Sequence, residues 1–338
     1  MPMARKAKQD SDDAPKKVAM HTLKLDAGQA EKLRQIVVGK GWVSFPVDHA
    51  AFAFKGPDVN VVHYKSGKCV ISGRGTEEFV KFSVEPDVTG QATLGYEEEL
   101  NPDWFEEHAG LDESGKGDLF GPVVSACVIA TGEMTREWIS LGIKDSKKLT
   151  DPKIAELDRI IRATPGVSVK TTFARMAKYN ELHSRFGKNL NRLLGWMHAT
   201  SCEEALKDFE LQHQRRPKWG LLDQFSEEPL VQKEIARKGI DFDLRMRTKA
   251  ESDPVVAAAS IVARACFVRE LDRLSQDCGV TLPKGSGREA KEAGIELVGR
   301  LGPAILVNFA KLHFRTAYEV RGLEPPEAKP FIRRKKAE

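Results

Sequence analysis

The sequence predicts an α/β domain over residues 105–322, preceded by a small α+β module over residues 20–90. Three observations lead there. After residue 105, apolar runs of strand length alternate with helical stripes. Before residue 90, one amphipathic helix is followed by closely spaced β-like runs. Between the two, residues 91–104 are polar and contain Gly and Pro, the composition of a linker.

Taken in order, residues 1–19 are rich in Lys, Asp, Ala and Pro and read as a disordered tail. Ala30, Leu33 and Val37 share one helical face, and Gly39 and Gly41 end that helix. Strands follow at 51–55, 59–64 and 68–71, turned by Asp58 and by Ser66-Gly67, and a helix over 77–82 closes the module. In the larger domain, strands are expected at 109–112, 123–130, 167–175 and 220–223. Leu190, Leu193, Leu194 and Met197 keep the spacing of a packed helix, and a second helix starts near Pro254 and continues to about residue 275. From residue 323 the chain is Pro-rich and then basic, with Arg333-Arg334-Lys335-Lys336, a tail able to touch phosphates or simply to stay solvated.

With 41% hydrophobic and 30% charged residues the composition is that of an ordinary globular protein. A net charge of +4 is compatible with a nucleic-acid partner, and equally with many metabolic enzymes. The five cysteines are scattered, with no C-x-x-C pair, which argues against a disulfide framework and a structural zinc site and fits the reducing cytoplasm. The longest apolar run, 255–263, is too short to span a bilayer, so no membrane role is implied.

The chemistry centres on Asp112 and Glu113. They end an apolar strand and stand directly before Ser114-Gly115-Lys116-Gly117-Asp118. Neighbours on a strand face opposite sides, yet at a strand end both carboxylates can approach one cation, and clustered Asp and Glu oxygens suit Mg²⁺. Asp223 ends a second apolar run, a common site position in open α/β sheets. Glu251 and Asp253 precede the helix at Pro254. Each acid alone reads equally well as surface charge, a cap or a partner of a helix dipole.

In combination they carry a resemblance. Residues 110–122, Gly-Leu-Asp-Glu-Ser-Gly-Lys-Gly-Asp-Leu-Phe-Gly-Pro, resemble the active-site signature of type 2 ribonucleases H, and the last six are more similar to the ribonuclease HIII branch than to HII. Segments 144–149, 179–180, 189–191, 223–225, 249–252, 257–264, 282–285 and 311–314 agree with the family in its order, across most of 109–318. Residues 51–56 and 64–68 resemble the TATA-binding-protein-like domain that precedes the catalytic domain in HIII and is missing from HII.

The resemblance implies a ribonuclease H-like mixed sheet flanked by helices, and an endonuclease that cuts the RNA strand of RNA–DNA hybrids, leaving 5′-phosphate and 3′-hydroxyl ends. It implies two Mg²⁺ ions, replaceable by Mn²⁺, on Asp112, Glu113, Asp223 and Glu251. Ser114, Gly115, Lys116 and Gly117 would meet the ribose 2′-hydroxyl; Lys147, Lys148, Asn189 and Lys284 would meet phosphates. Lys55, Tyr64, Lys65 and Lys68 of the first module would grip the hybrid. A monomer is expected, since no helical seam suggests a partner. Two departures stand out: Lys116 occupies a place where the family pattern leads us to expect Thr, and the run from Glu251 to Ser260 is one residue short, which leaves Asp253 as an alternative fourth acid. Two other functions stay open: HII-like cleavage at single embedded ribonucleotides, and hybrid binding without catalysis.

Overall fold

The computed structural model describes residues 20–90, 97–143 and 149–325. The tail at 1–19, part of the linker (91–96), Lys147, Lys148 and the basic run at 333–336 lie outside the described residues. The chain forms two compact units, one holding residues to Phe105 together with Ser140–Gly142, the other the remainder.

The first unit is an antiparallel sheet of β1 (Met20–Lys24), β2 (Val43–Ser44), β3 (Ala50–Lys55), β4 (Asn60–Tyr64) and β5 (Lys68–Ser72), ordered β1-β5-β4-β3-β2. Helix α1 (Ala27–Gly39) opens with a capping box in which Asp26 and Gln29 satisfy each other's backbone N–H. It packs Ala30, Leu33 and Val37 against Val61, Cys69 and Ile71 of one sheet face. The short α2 (Thr76–Phe79), continued by a wider helical coil over Val80–Thr89, completes that layer. The period of two turns the remaining strand residues to the uncovered face. Register places Lys24 beside Lys68, and Lys55 beside Asn60, on that face together with Tyr64. Lys65 belongs to the turn between β4 and β5.

Helix α3 (Glu97–Leu100) is grouped with the first unit, and the second unit has a mixed sheet of its own. Strands β6 (His108–Ser114), β7 (Val124–Ala130) and β8 (Ser168–Phe173) run antiparallel, and β9 (Trp219–Asp223) and β10 (Asp243–Arg247) add in parallel beside β6, giving the order β10-β9-β6-β7-β8. The helices are α4 (Gly132–Ser140), α5 (Asp151–Ala163), α6 (Met176–Arg185), α7 (Leu190–His213), α8 (Leu230–Arg237), α9 (Pro254–Cys278), α10 (Arg288–Leu301) and α11 (Arg315–Val320).

Alternation along the strands supplies two cores. On one face α9 packs against the side of β7 that carries Val124, Ala126, Val128 and Ala130. On the other, α7 and α8 cover Ala109, Leu111, Cys127, Ile129 and Leu222. Gly110 is required where β6 crosses α9, because a Cβ there would lie 2.3 Å from the carbonyl carbon of Val255. Strands β1 and β10 were not expected from the sequence. Both sit at sheet edges, and β10 buries only Leu244, so neither carries an apolar run.

Candidate active site

Strand alternation decides where the two adjacent acids point. Asp112 is paired with Ala126, on the α9 face, and its carboxyl is hydrogen-bonded by Ser260 of α9. It also accepts from the Glu113 amide at 2.8 Å. Glu113 is paired with Ser125, on the α7 face, where its Oε2 lies 3.0 Å from His198 Nε2. His198 is fully buried; its Nδ1 meets the Ser125 hydroxyl at 2.9 Å, and that hydroxyl meets Ser201 at 3.0 Å. Since Glu113 accepts, His198 Nε2 donates and fixes the carboxylate's orientation.

Asp223 enters from β9. Its neighbours Leu222 and Leu111 are paired across the parallel strands, so Asp223 stands one step on, beside Asp112. Its Oδ1 accepts from the Ala250 amide at 3.0 Å, which ties it to the short 3-10 turn Ala250–Ser252 that carries the half-buried Glu251. Three chain segments therefore bring four acids to one end of the sheet.

The electrostatic signature is on Asp112. Burial, then the charge of Glu113 and that of Asp223, push its carboxyl up to about 7, against the lowering effect of its hydrogen bonds. Among the described residues, however, no three His, Cys, Asp or Glu side chains converge closely enough to hold an ion. The two facts are consistent. Like charges at this spacing repel, Glu113 is held by His198, and either a proton on Asp112 or a cation between the carboxylates relieves the repulsion. The donor set, carboxylate oxygens at the end of a buried sheet, fits a hard divalent cation.

Asp253 has a different role. It is 1% exposed, caps α9 by accepting from the amides of Val255 and Val256, and lies 3.2 Å from His108 Nε2. All three contacts fall on its Oδ1, and Glu251 is not part of that cap. The sequence already contained this signal, since Pro254 at the first helical position marks Asp253 as the cap.

The Gly115-Lys116-Gly117 segment follows β6 directly. Gly115 has φ +88°, and a Cβ there would lie 2.3 Å from the Pro122 carbonyl oxygen, so the turn admits no side chain at this position. Lys116 places Nζ 3.7 Å from Glu113 Oε1 and 5.2 Å from the centre of the Phe225 ring, which itself stacks on His198. Ser114 is the last residue of β6 and half-buried. Of the expected phosphate contacts, Asn189 caps α7 by accepting from the Arg192 amide at 3.2 Å, and Lys284 is paired with Asp151 at 2.5 Å. Both side chains are engaged with the protein itself. His198 escaped the sequence analysis; its one signal is a histidine four residues after Leu194 on an otherwise apolar buried stripe.

With this geometry in view, comparison with known proteins is specific. The family model of ribonuclease HII matches residues 109–317. Ribonuclease HIII of Chlamydia pneumoniae is 36% identical over 304 residues, covering 88% of this chain and 96% of its own. That of Protochlamydia amoebophila is 34% identical over 299 residues, covering 88% and 95%. Among solved structures, Bst-RNase HIII in complex with Mn²⁺ matches with a TM-score of 0.62 at 26% identity, covering 90% of this chain and 98% of that one. Aquifex aeolicus RNase H3 matches with a TM-score of 0.50, also at 26% identity, over 86% of this chain and 99% of its own.

Proposed function

The chain belongs to the ribonuclease HII family, in its ribonuclease HIII branch, and from that premise we propose that Asp112, Glu113, Asp223 and Glu251 hold two Mg²⁺ ions for hydrolysis of the RNA strand of an RNA–DNA hybrid. The activity itself, a ribonuclease H endonuclease acting on RNA–DNA hybrids, follows from the family. The observation that supports clustering of the first three acids is the crowding at Asp112, whose carboxyl is pushed up to about 7 by burial and by Glu113 and Asp223; Glu251 is added from the turn whose Ala250 amide holds Asp223.

When bound, two divalent ions supply a water acidic enough to act as nucleophile at neutral pH and positive charge for the leaving 3′ oxygen. That a structural relative, Bst-RNase HIII, was solved with Mn²⁺ supports divalent dependence and Mn²⁺ as a substitute. The protein's own part is to place and orient. Asp112 is set by Ser260 and its neighbour's amide, Glu113 by His198, and Asp223 by the Ala250 amide. Ser114 and the Gly115–Gly117 turn offer backbone groups at the ribose, where a 2′-hydroxyl distinguishes RNA from DNA. Lys116, next to Glu113, adds a cation for the scissile phosphate.

Residues 105–322 would then be the catalytic domain and 20–90 a substrate-gripping domain, whose uncovered sheet face presents Lys24, Lys55, Tyr64 and Lys68. Lys65 in the adjoining turn, and Lys147, Lys148, Asn189 and Lys284, remain phosphate contacts to be tested one by one. The latter two would have to leave their present partners. Five buried, unpaired thiols support a cytoplasmic setting, and no helix among the described residues is long and apolar enough to cross a membrane. A monomer is the working unit in this proposal.

The test is cleavage of labelled RNA–DNA hybrid, DNA duplex, RNA duplex and a DNA duplex with one ribonucleotide, with Mg²⁺, Mn²⁺ or chelator. Cutting confined to the hybrid's RNA strand, lost in chelator and in Asp112→Asn, is the expected result. Efficient cutting at the single ribonucleotide would shift the assignment to HII-like activity, and hybrid binding without cutting under any condition would overturn the catalytic one.

A further inference from the structure

Lys311 is 0% exposed; burial pulls its pKa down to about 7, and the nearby charge of Asp118 works against that shift. Its ammonium is surrounded by backbone. Nζ donates to the carbonyl oxygen of Asp118 at 2.8 Å, to that of Phe120 at 3.4 Å, and to that of Gly121. Three donors thus meet three acceptors of one loop. The Tyr179 ring lies under the same ammonium, 5.8 Å from its centre.

The rest of the neighbourhood serves the same loop. The Lys311 amide donates to the Leu119 carbonyl, and Phe120 forms a bridge with Ala310. Asn180 donates to the carbonyls of Val307 and Ala310 and accepts from the Leu312 amide, which fixes the segment that carries Lys311. Asp118 accepts from the Gly285 amide at 2.5 Å. Finally, the Asp118 amide donates to the Gly115 carbonyl, closing the turn that contains Lys116 and Gly117. Two sequence segments with no assigned role, 179–180 and 311–314, therefore meet beneath the loop that follows the catalytic strand.

We propose that Lys311 is a positioning residue of the ribose-reading loop: by holding the carbonyls of Asp118, Phe120 and Gly121 from below, it sets the height at which the Gly115–Gly117 backbone meets a 2′-hydroxyl. The lysine head group satisfies these inward carbonyls from a single point where an apolar side chain would leave them unpaired. Because the Lys311 head group is buried against backbone of the loop and touches none of the four site acids, its loss acts on recognition rather than on the chemical step. The proposal rests on the assignment of Gly115–Gly117 to ribose recognition.

The experiment compares wild type, Lys311→Met and Gly117→Ala as full chains. KM and kcat are measured on RNA–DNA hybrid, and binding is measured to a DNA duplex of the same sequence. A Cβ at Gly117 has nothing within 4 Å, so that variant probes the turn without disturbing the fold. Lys311→Met is expected to raise KM on the hybrid about tenfold or more, with kcat within about threefold and DNA binding unchanged. If Gly117→Ala leaves KM unchanged, ribose recognition by this loop is wrong, whatever Lys311→Met does. If Gly117→Ala raises KM and Lys311→Met does not, or lowers kcat instead, the role of Lys311 alone is overturned. Should Lys311→Met fail to fold, the Lys311 ammonium resonance of wild type decides, read about one pH unit below its lowered value near 7 so that the amine is protonated. It is expected to be shielded from solvent exchange and to shift when hybrid is added in chelator but not when DNA duplex is added; a freely exchanging or unresponsive ammonium refutes the proposal.

Discussion

The raised carboxyl of Asp112 makes the ion-free protein a pH sensor of its own stability. A group that binds its proton more tightly folded than unfolded stabilises the fold fully below its unfolded value, near 3.8, and loses that contribution as pH rises through its folded value, about 7. Across the whole interval the loss is roughly 4 kcal/mol at about 1.4 kcal/mol per pH unit. Between pH 5 and 8 it is about 2–3 kcal/mol, and water at the partly exposed edge of the site screens this to about 1.5 kcal/mol. For a domain of this size that is a fall of about 3–6 °C in melting temperature. The assay is thermal unfolding in chelator at pH 5 and pH 8, for wild type and Asp112→Asn. The variant carries no ionisable group at this position, so the difference between the two proteins removes every titration except those of Glu113 and Asp223, which interact with Asp112. Wild type should lose the extra 3–6 °C on going to pH 8 and recover it when Mg²⁺ replaces chelator; the variant should do neither. Equal losses in the two proteins would refute the crowded-carboxylate account.

Three further predictions follow from the same geometry. His198→Ala removes the donor that orients Glu113 and should raise the half-saturating Mg²⁺ concentration about 10–100-fold in a cleavage titration, with His198→Gln, which can still donate, retaining most of the affinity. Lys116→Thr removes a cation 3.7 Å from Glu113 and should lower that concentration several-fold, while raising KM for the hybrid. Gly110→Ala forces a methyl group against the α9 backbone at Val255 and should cost about 2–3 kcal/mol in urea unfolding; a change under about 0.5 kcal/mol would show that β6 and α9 are free to part.

The strands that organise the site were legible because they are buried on both faces. β7 is buried throughout, and β6 is buried over its first four residues, so they appear as continuous apolar runs that end in Asp112 and Glu113. β1 and β10 were not, because an edge strand with one or two inward residues has too short a pattern to see. Among the site residues, Asp112, Glu113 and Asp223 stand out by position, at the ends of apolar runs. His198 does not, since a single histidine on a buried helix has the same local appearance whether it orients a carboxylate or fills space. The role of Lys311 is non-local altogether, because its acceptors lie about 190 residues earlier in the chain.

How the acids come to be placed depends on the parallel course of β6 and α9. His108 at the start of β6 meets Asp253 at the start of α9; Gly110 lies against Val255 and Val256; Asp112 reaches Ser260. Strand and helix advance together, and each contact fixes the next. The first is deeply buried: His108 and Asp253 are 0% and 1% exposed, and the His108 ring stacks on Trp219 with centroids 4.4 Å apart. Both ring nitrogens of His108 face acceptors, the Glu106 carbonyl and the Asp253 carboxylate, so the ring bridges the entry to β6 and the cap of α9. Asp253 cannot be released to act as a fourth metal-binding acid without uncapping α9 and unpairing a buried histidine, a cost of several kcal/mol. Glu251, two residues earlier on the turn whose Ala250 amide holds Asp223, carries no such constraint from the cap. The difference between these neighbouring acids therefore follows from packing: Asp253, beneath the helix, builds the scaffold, and Glu251, on the turn, stands outside that cap.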